Sequence, residues 1–220
     1  MKRNFIHFAL AMVVVSLVTA VGSIGIAESP QEGKAGAPGG RAEMKLPPGW
    51  TAADMQACIA AGTPGKMHEL LVKGVGVWDG KSTTWMVPGA EPIKSVCTLT
   101  ISPMMKGRYV KGEVSGEMPG MGPYHGFGLY GFDNVSRKFV STWIDSQSTG
   151  MMNGTGALSA DGKTLTWKYI HNCPITKKPT VMREIETFTG PNSKTLEMFG
   201  EDPKSGKEFK MMSIEFTRKS

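Results

Sequence analysis

Phe209-Lys210-Met211-Met212-Ser213-Ile214-Glu215-Phe216-Thr217-Arg218 decides the fold. Met212, Ile214 and Phe216 take every second place, and Ser213, Glu215 and Thr217 fill the places between. A period of two residues belongs to a strand with one buried and one wet face. Working backwards, Phe139-Val140-Ser141-Thr142-Trp143-Ile144-Asp145 carries the aromatic and β-branched residues that strands favour. Asp161-Gly162 separates Gly156-Ala157-Leu158 from Leu165-Thr166-Trp167 as a tight hairpin would. Asp133-Asn134, Pro191-Asn192 and Asp202-Pro203 mark further turns. Such punctuation predicts about ten short strands, the spacing of an all-β sandwich or barrel. An antiparallel meander that closes on itself is the economical arrangement, because closure leaves no unpaired edge.

Helix signals precede the strands. Thr51 stands as an N-cap before Ala52-Ala53-Asp54, and Thr63 as a second cap with Pro64 at the first helical position. Met67, Leu70 and Leu71 then fall on one helical face. After Lys73 the run Gly74-Val75-Gly76-Val77-Trp78-Asp79-Gly80 reads as entry into a strand.

The first 27 residues form a secretory signal: Lys2 and Arg3, an apolar stretch from Phe5 to about Val21, and small residues for cleavage after Ala27. The apolar core between Phe8 and Val18 is shorter than the roughly 20 residues that span a bilayer, and no later stretch approaches that length. The expectation is an exported chain, periplasmic or secreted, with no membrane span after cleavage. Residues 28–49 hold Gly, Pro, Ala and charge with little to bury, so they read as a disordered linker. Residues 50–220 are expected to form one barrel domain. Losing Lys2 and Arg3 lowers the net charge from +6 to +4. The remaining cations are scattered among acids, which excludes a nucleic-acid surface. Cys58, Cys97 and Cys173 allow at most one internal disulfide, and three free thiols are the alternative.

Several runs together carry a family resemblance. Gly131-Phe132-Asp133-Asn134-Val135, Thr142-Trp143-Ile144-Asp145-Ser146, Ser148-Thr149-Gly150-Met151-Met152 and Gly206-Lys207-Glu208-Phe209-Lys210-Met211-Met212, with Thr217-Arg218-Lys219, resemble the bacterial family called domain of unknown function 1579. The likeness covers roughly His68 to Lys219. It implies a calycin-like barrel and leaves activity open. Gly76-Val77-Trp78 also resembles the Gly-x-Trp of lipocalins, where the ring plugs the closed end and a cation from the last strand packs on it. That resemblance implies Arg218 as the partner of Trp78, in a contact worth roughly 0.5–2 kcal/mol.

The chemical motifs are thin. Gly126-Phe127-Gly128-Leu129-Tyr130-Gly131 satisfies G-x-G-x-x-G, yet the turn residues Phe132-Asp133-Asn134 follow where a phosphate-binding helix would have to start. Glycines in such a strand instead permit curvature or close approach. His125 and His171 are the titratable candidates, and His171-Asn172-Cys173 would place imidazole and thiol on one face of a strand. Those two ligands fall short of the four a structural zinc site needs. Asp145 either faces inward as an acid–base group or caps a turn at the rim with Ser146 or Ser148. No Gly-x-Ser-x-Gly elbow supports nucleophilic catalysis.

Methionine is the oddity, 16 in 220 residues, with pairs at 104–105, 151–152 and 211–212. Each pair on a strand would send one thioether inward, suited to core packing or to an adaptable cavity lining. Met118 and Met121 could instead begin a Cu(I) site.

Three readings follow. The first is a non-enzymatic barrel under a helical lid, holding a small apolar or amphipathic ligand. Its cavity or seal would use Trp78, Trp143, Trp167, Phe127, Met152 and Arg218. The second is an enzyme on a small molecule with Asp145 or His125 as acid or base. The third is a metal or haem carrier using His125, His171, Cys173 or the Met118–Met121 loop. No particular cofactor is implied.

Overall fold

Ten antiparallel strands succeed one another around a closed barrel in a computed structural model that describes residues 46–118 and 120–219. They are β1 (Gly76–Thr84), β2 (Ile93–Met104), β3 (Tyr109–Met118), β4 (Gly122–Asp133) and β5 (Lys138–Asp145). The second half comprises β6 (Met152–Leu158), β7 (Thr164–Asn172), β8 (Pro179–Gly190), β9 (Ser193–Glu201) and β10 (Glu208–Arg218). Each pairs with its neighbours in sequence, and β1 pairs with β10, with Trp78 opposite Arg218 and Ser82 opposite Ile214. The expected signal peptide and most of the expected linker lie outside the described residues.

Alternation along β10 runs as the sequence predicts: Ile214 and Phe216 are buried while Glu215 and Thr217 are exposed. The Asp161-Gly162 hairpin joins β6 to β7, with Gly162 at φ +72°, a left-handed value that favours glycine. The glycines of β4 serve close approach. A Cβ on Gly126 would sit 2.2 Å from the Trp143 ring, and one on Gly128 would sit 2.5 Å from the Tyr130 hydroxyl. β6 repeats the device, with Gly156 against Trp167 and Gly154 against Tyr169. The strand thus gives inward positions to glycine so that a neighbour's aromatic ring can lie across them.

Two helices precede the barrel, α1 (Ala52–Gly62) and α2 (Lys66–Lys73). Thr51 caps α1 through a capping box with Asp54. Thr63 departs from its expected role. It ends α1, its hydroxyl donating to the Ile59 carbonyl at 2.6 Å, and Gly65 is the N-cap of α2. Glycine has no capping side chain, and the bond made here is the reciprocal one, His68 Nδ1 accepting the Gly65 N–H at 3.0 Å. Asn134, in the β4–β5 turn, donates to the carbonyls of Ala60, Ala61 and Thr63 and so holds the end of α1.

α2 packs Met67, Leu70 and Leu71 against Phe139, Leu165 and Trp167 inside the barrel. It contacts the start of β3 and the far end of β4, the same barrel end as Trp78. The helical segment is therefore a floor beneath the barrel rather than the expected lid.

Candidate functional site: a methionine-lined barrel cavity

Above the floor the interior is hollow. A cavity of about 430 Å³ is lined from all ten strands and opens between Met86, Met121 and Gln147, at the end opposite α2. Seven methionines line it: 86, 118, 121, 152, 182, 198 and 212. In the adjacent pairs Met152 and Met212 line the cavity while Met151 is exposed, so β-alternation sends one sulfur of the pair inward. Tyr124, Tyr130, Tyr169 and Trp143 add aromatic surface.

The floor is solid for a reason of volume. Phe139, Leu165 and Trp167 are at most 2% exposed, and the rings of Phe139 and Trp167 meet edge-on with their centroids 6.1 Å apart. Trp78 closes the base. The Arg218 guanidinium carbon lies 4.1 Å from its ring centroid, and Arg218 also donates to the carbonyls of Lys73 and Val75. The Trp78 indole N–H donates to the Gly74 carbonyl at 2.9 Å. A second cation, Lys194, lies 5.0 Å from the same ring and 5.5 Å from that of Phe216.

Lys194 belongs to the interior group that the sequence reading missed. Its ammonium is 2.6 Å from the Glu186 carboxylate, both side chains largely buried. One step along the same face of β8, Glu184 is 7% exposed and lines the cavity. Burial, then the Glu186 charge, pushes its pKa up to about 8 against the opposing pull of Lys194. Burial likewise raises the Tyr130 and Tyr169 phenols. Nearby, Ser141 Oγ and the Trp167 indole N–H are buried without a hydrogen-bond partner. A signal existed in the alternation Met182, Glu184, Glu186, Phe188. It was masked because the other face of β8, with Val181 and Ile185, is as apolar.

The other candidates separate. Trp143 and Met152 line the cavity, whereas Trp167 lies beneath it as part of the floor. Phe127 is on the outer face, because its neighbours Gly126 and Gly128 hold the inward positions of β4. His125 shares that outer face and is exposed, so it cannot act as a base on anything inside the barrel. Asp145 is at the rim of the mouth: it lines the cavity, and its carboxylate accepts the Gln147 N–H at 2.9 Å and the Trp143 indole N–H at 3.2 Å in place of the expected bonds with Ser146 or Ser148. His171 and Cys173 do not share a strand face. β7 ends at Asn172, and Cys173 is in the following turn, its sulfur accepting the Thr176 N–H at 3.5 Å. Partial burial lowers the His171 pKa. Met118 and Met121 both stand at the cavity mouth. Among the described residues no group of three His, Cys, Asp or Glu could hold a metal ion, no disulfide forms, and no helix is long and apolar enough to cross a membrane.

Comparison with solved structures places the barrel among known folds. Rv2717c from M. tuberculosis matches with a TM-score of 0.53 at 12% identity, covering 72% of this chain and 100% of that one. The S-type phycobiliprotein lyase CPES from Guillardia theta matches with a TM-score of 0.50 at 10% identity, covering 74% of this chain and 97% of that one. At such identities the likeness is one of fold. No curated protein matches the sequence. Residues 63–218 match the family described as protein of unknown function (DUF1579), and the chain belongs to that family.

Proposed function

We propose that this protein is an exported, non-enzymatic carrier that holds one small apolar or amphipathic molecule inside its barrel. The observation that carries the reading is the 430 Å³ cavity with seven methionines in its wall, closed below and open above. A volume of that size falls in the range of small-molecule pockets. Thioethers on three rotatable bonds adapt to differing ligand shapes, which suits a carrier better than an enzyme that must hold one geometry. The placement of His125 outside the barrel weighs in the same direction. Likeness to a phycobiliprotein lyase concerns the fold, and assigns neither a bilin nor a lyase reaction to this chain.

Fluorescence titration of the mature protein with a homologous series of straight-chain alcohols tests the reading. Trp143, in the cavity wall, should report saturable binding that tightens with chain length and then stops when the cavity is full. Val114→Phe, which places a ring in the cavity, should abolish binding and leave the circular dichroism spectrum unchanged. Binding that persists in Val114→Phe would locate the ligand elsewhere. Export is tested separately, by N-terminal sequencing of protein recovered from outside the cytoplasm. A start at Glu28 is expected, and a retained Met1 would overturn the signal peptide.

A further inference from the structure

We propose that the cavity takes a lipophilic amine, held with its ammonium group on the Glu184 carboxylate. The inference rests on the carrier reading and adds the chemical class of the ligand.

The charged residues in the cavity wall are Glu117, Asp145 and Glu184, all acidic, although the chain as a whole is basic. Asp145 and Glu117 are at the mouth, whereas Glu184 is deep and nearly closed off from water. The groups facing Glu184 can be named strand by strand. Trp167 and Tyr169 come from β7, Glu186 from β8 itself, Met198 and Lys194 from β9, and Tyr130 from β4. Two buried carboxyl groups therefore share one ammonium, and Lys194 is committed to Glu186 at 2.6 Å and to the rings of Trp78 and Phe216. Glu184 is the group left without a counter-ion.

A buried, unpaired carboxylate costs several kcal/mol, which is why burial holds Glu184 protonated near neutrality. An incoming cation removes that penalty. An incoming carboxylate would bring a negative charge toward the Glu186 carboxylate, and an alcohol could hydrogen-bond to the neutral Glu184 carboxyl but would form no ion pair. The aromatic side chains of Tyr130, Tyr169 and Trp143 in the wall offer π systems that suit a cation as well. The exchange balances in protons: an alkylammonium enters from water, the Glu184 carboxyl releases its proton to solvent, and an ammonium–carboxylate pair remains.

Isothermal titration of the mature protein with decylamine, decanol and decanoate at neutral pH decides the point, run in two buffers of different ionisation enthalpy. The amine should bind at least about tenfold more tightly than the alcohol, with decanoate weakest, and should release about one proton per molecule bound. Decanol should release none. Glu184→Gln should keep decanol binding and lose both the amine preference and the proton release. Decanoate binding as tightly as decylamine, or an amine preference surviving in Glu184→Gln, overturns the proposal. Decanol binding without any preference for the amine rejects the head-group assignment and leaves the carrier reading standing. Failure of all three to bind rejects the carrier reading, and the amine with it. The proton count on the unaltered protein stands even if the variant does not fold.

Discussion

The two ends of the barrel obey the same alternation and yet differ in kind. At the α2 end the inward positions carry Phe139, Leu165 and Trp167, which pack together and leave no room, while Trp78 closes the base from a second cluster. At the other end they carry Ser95, Cys97, Gly116 and the methionines, and a cavity remains. Hollowness is thus a matter of side-chain volume on an unchanged backbone, and the boundary between the two halves runs through Glu184, Tyr130 and Tyr169.

That contrast can be broken by mutation. The largest effect is expected at the floor: Trp167→Ala should destabilise by about 3–5 kcal/mol in denaturant unfolding, the range for deleting a buried aromatic. Met152→Ala at the cavity wall should lose less, about 1–2 kcal/mol, because one side of the thioether borders space and only the other packs on the floor cluster. Equal losses would mean that the upper half is packed after all.

Next comes the boundary. The Glu184 carboxyl keeps its proton in the folded state up to about pH 8, against an ordinary value of 4.5. Between those values the native state binds more protons than the unfolded chain, so stability falls as pH rises through that window. The slope that Glu184 contributes is at most about 1.4 kcal/mol per pH unit. Glu184→Gln should flatten the curve and gain stability relative to wild type toward pH 8, and parallel curves for the two proteins would remove Glu184 from the account.

Glycine substitutions sharpen the comparison at smaller cost. Gly156→Ala places a methyl 2.8 Å from Trp167 and 3.1 Å from Phe139, in the solid half, and should cost about 1–3 kcal/mol. Gly126→Ala meets Trp143, which borders the cavity and can swing into it. The expected result there is a smaller stability loss with weakened ligand binding.

The base seal is tested by replacing Trp78 with Leu and Arg218 with Met, singly and together. A coupling of roughly 0.5–2 kcal/mol is expected, and additive losses would show that each side chain packs independently. Smallest of all, His125→Ala should change neither binding nor stability beyond about 0.5 kcal/mol. A marked loss of binding would bring the outer face into the site.

Strands and turns were legible because the chain alternates with a period of two and marks its turns with Asp, Asn, Gly and Pro. The pairing of Trp78 with Arg218 came from family resemblance, and the two residues do stand opposite each other. Phe127 misled because hydrophobicity alone assigns a phenylalanine inward, whereas glycine takes that face of β4 wherever a neighbouring ring must pass. The pair His171 and Cys173 assumed a strand that runs on through Cys173, one residue past the end of the one that forms. Thr63 carried a capping residue's chemistry but ended a helix instead of starting one. The deep charges were illegible for a different reason. Lys194, Glu184 and Glu186 are residue types that normally face water, and only the closure of β8 against β9 reveals that they lie inside, with Lys194 paired to Glu186.

Arg218 ties the last strand to the carbonyls of Lys73 and Val75 at the threshold of the first. The contacts that complete the barrel therefore join the two most distant parts of the folded sequence. Loop-closure entropy makes such pairings late and slow. Until β10 arrives, β1 and β9 each present a row of unmet backbone donors and acceptors, and the cavity has no wall on that side. A chain built this way has its complete cavity only once the last strand has joined the first.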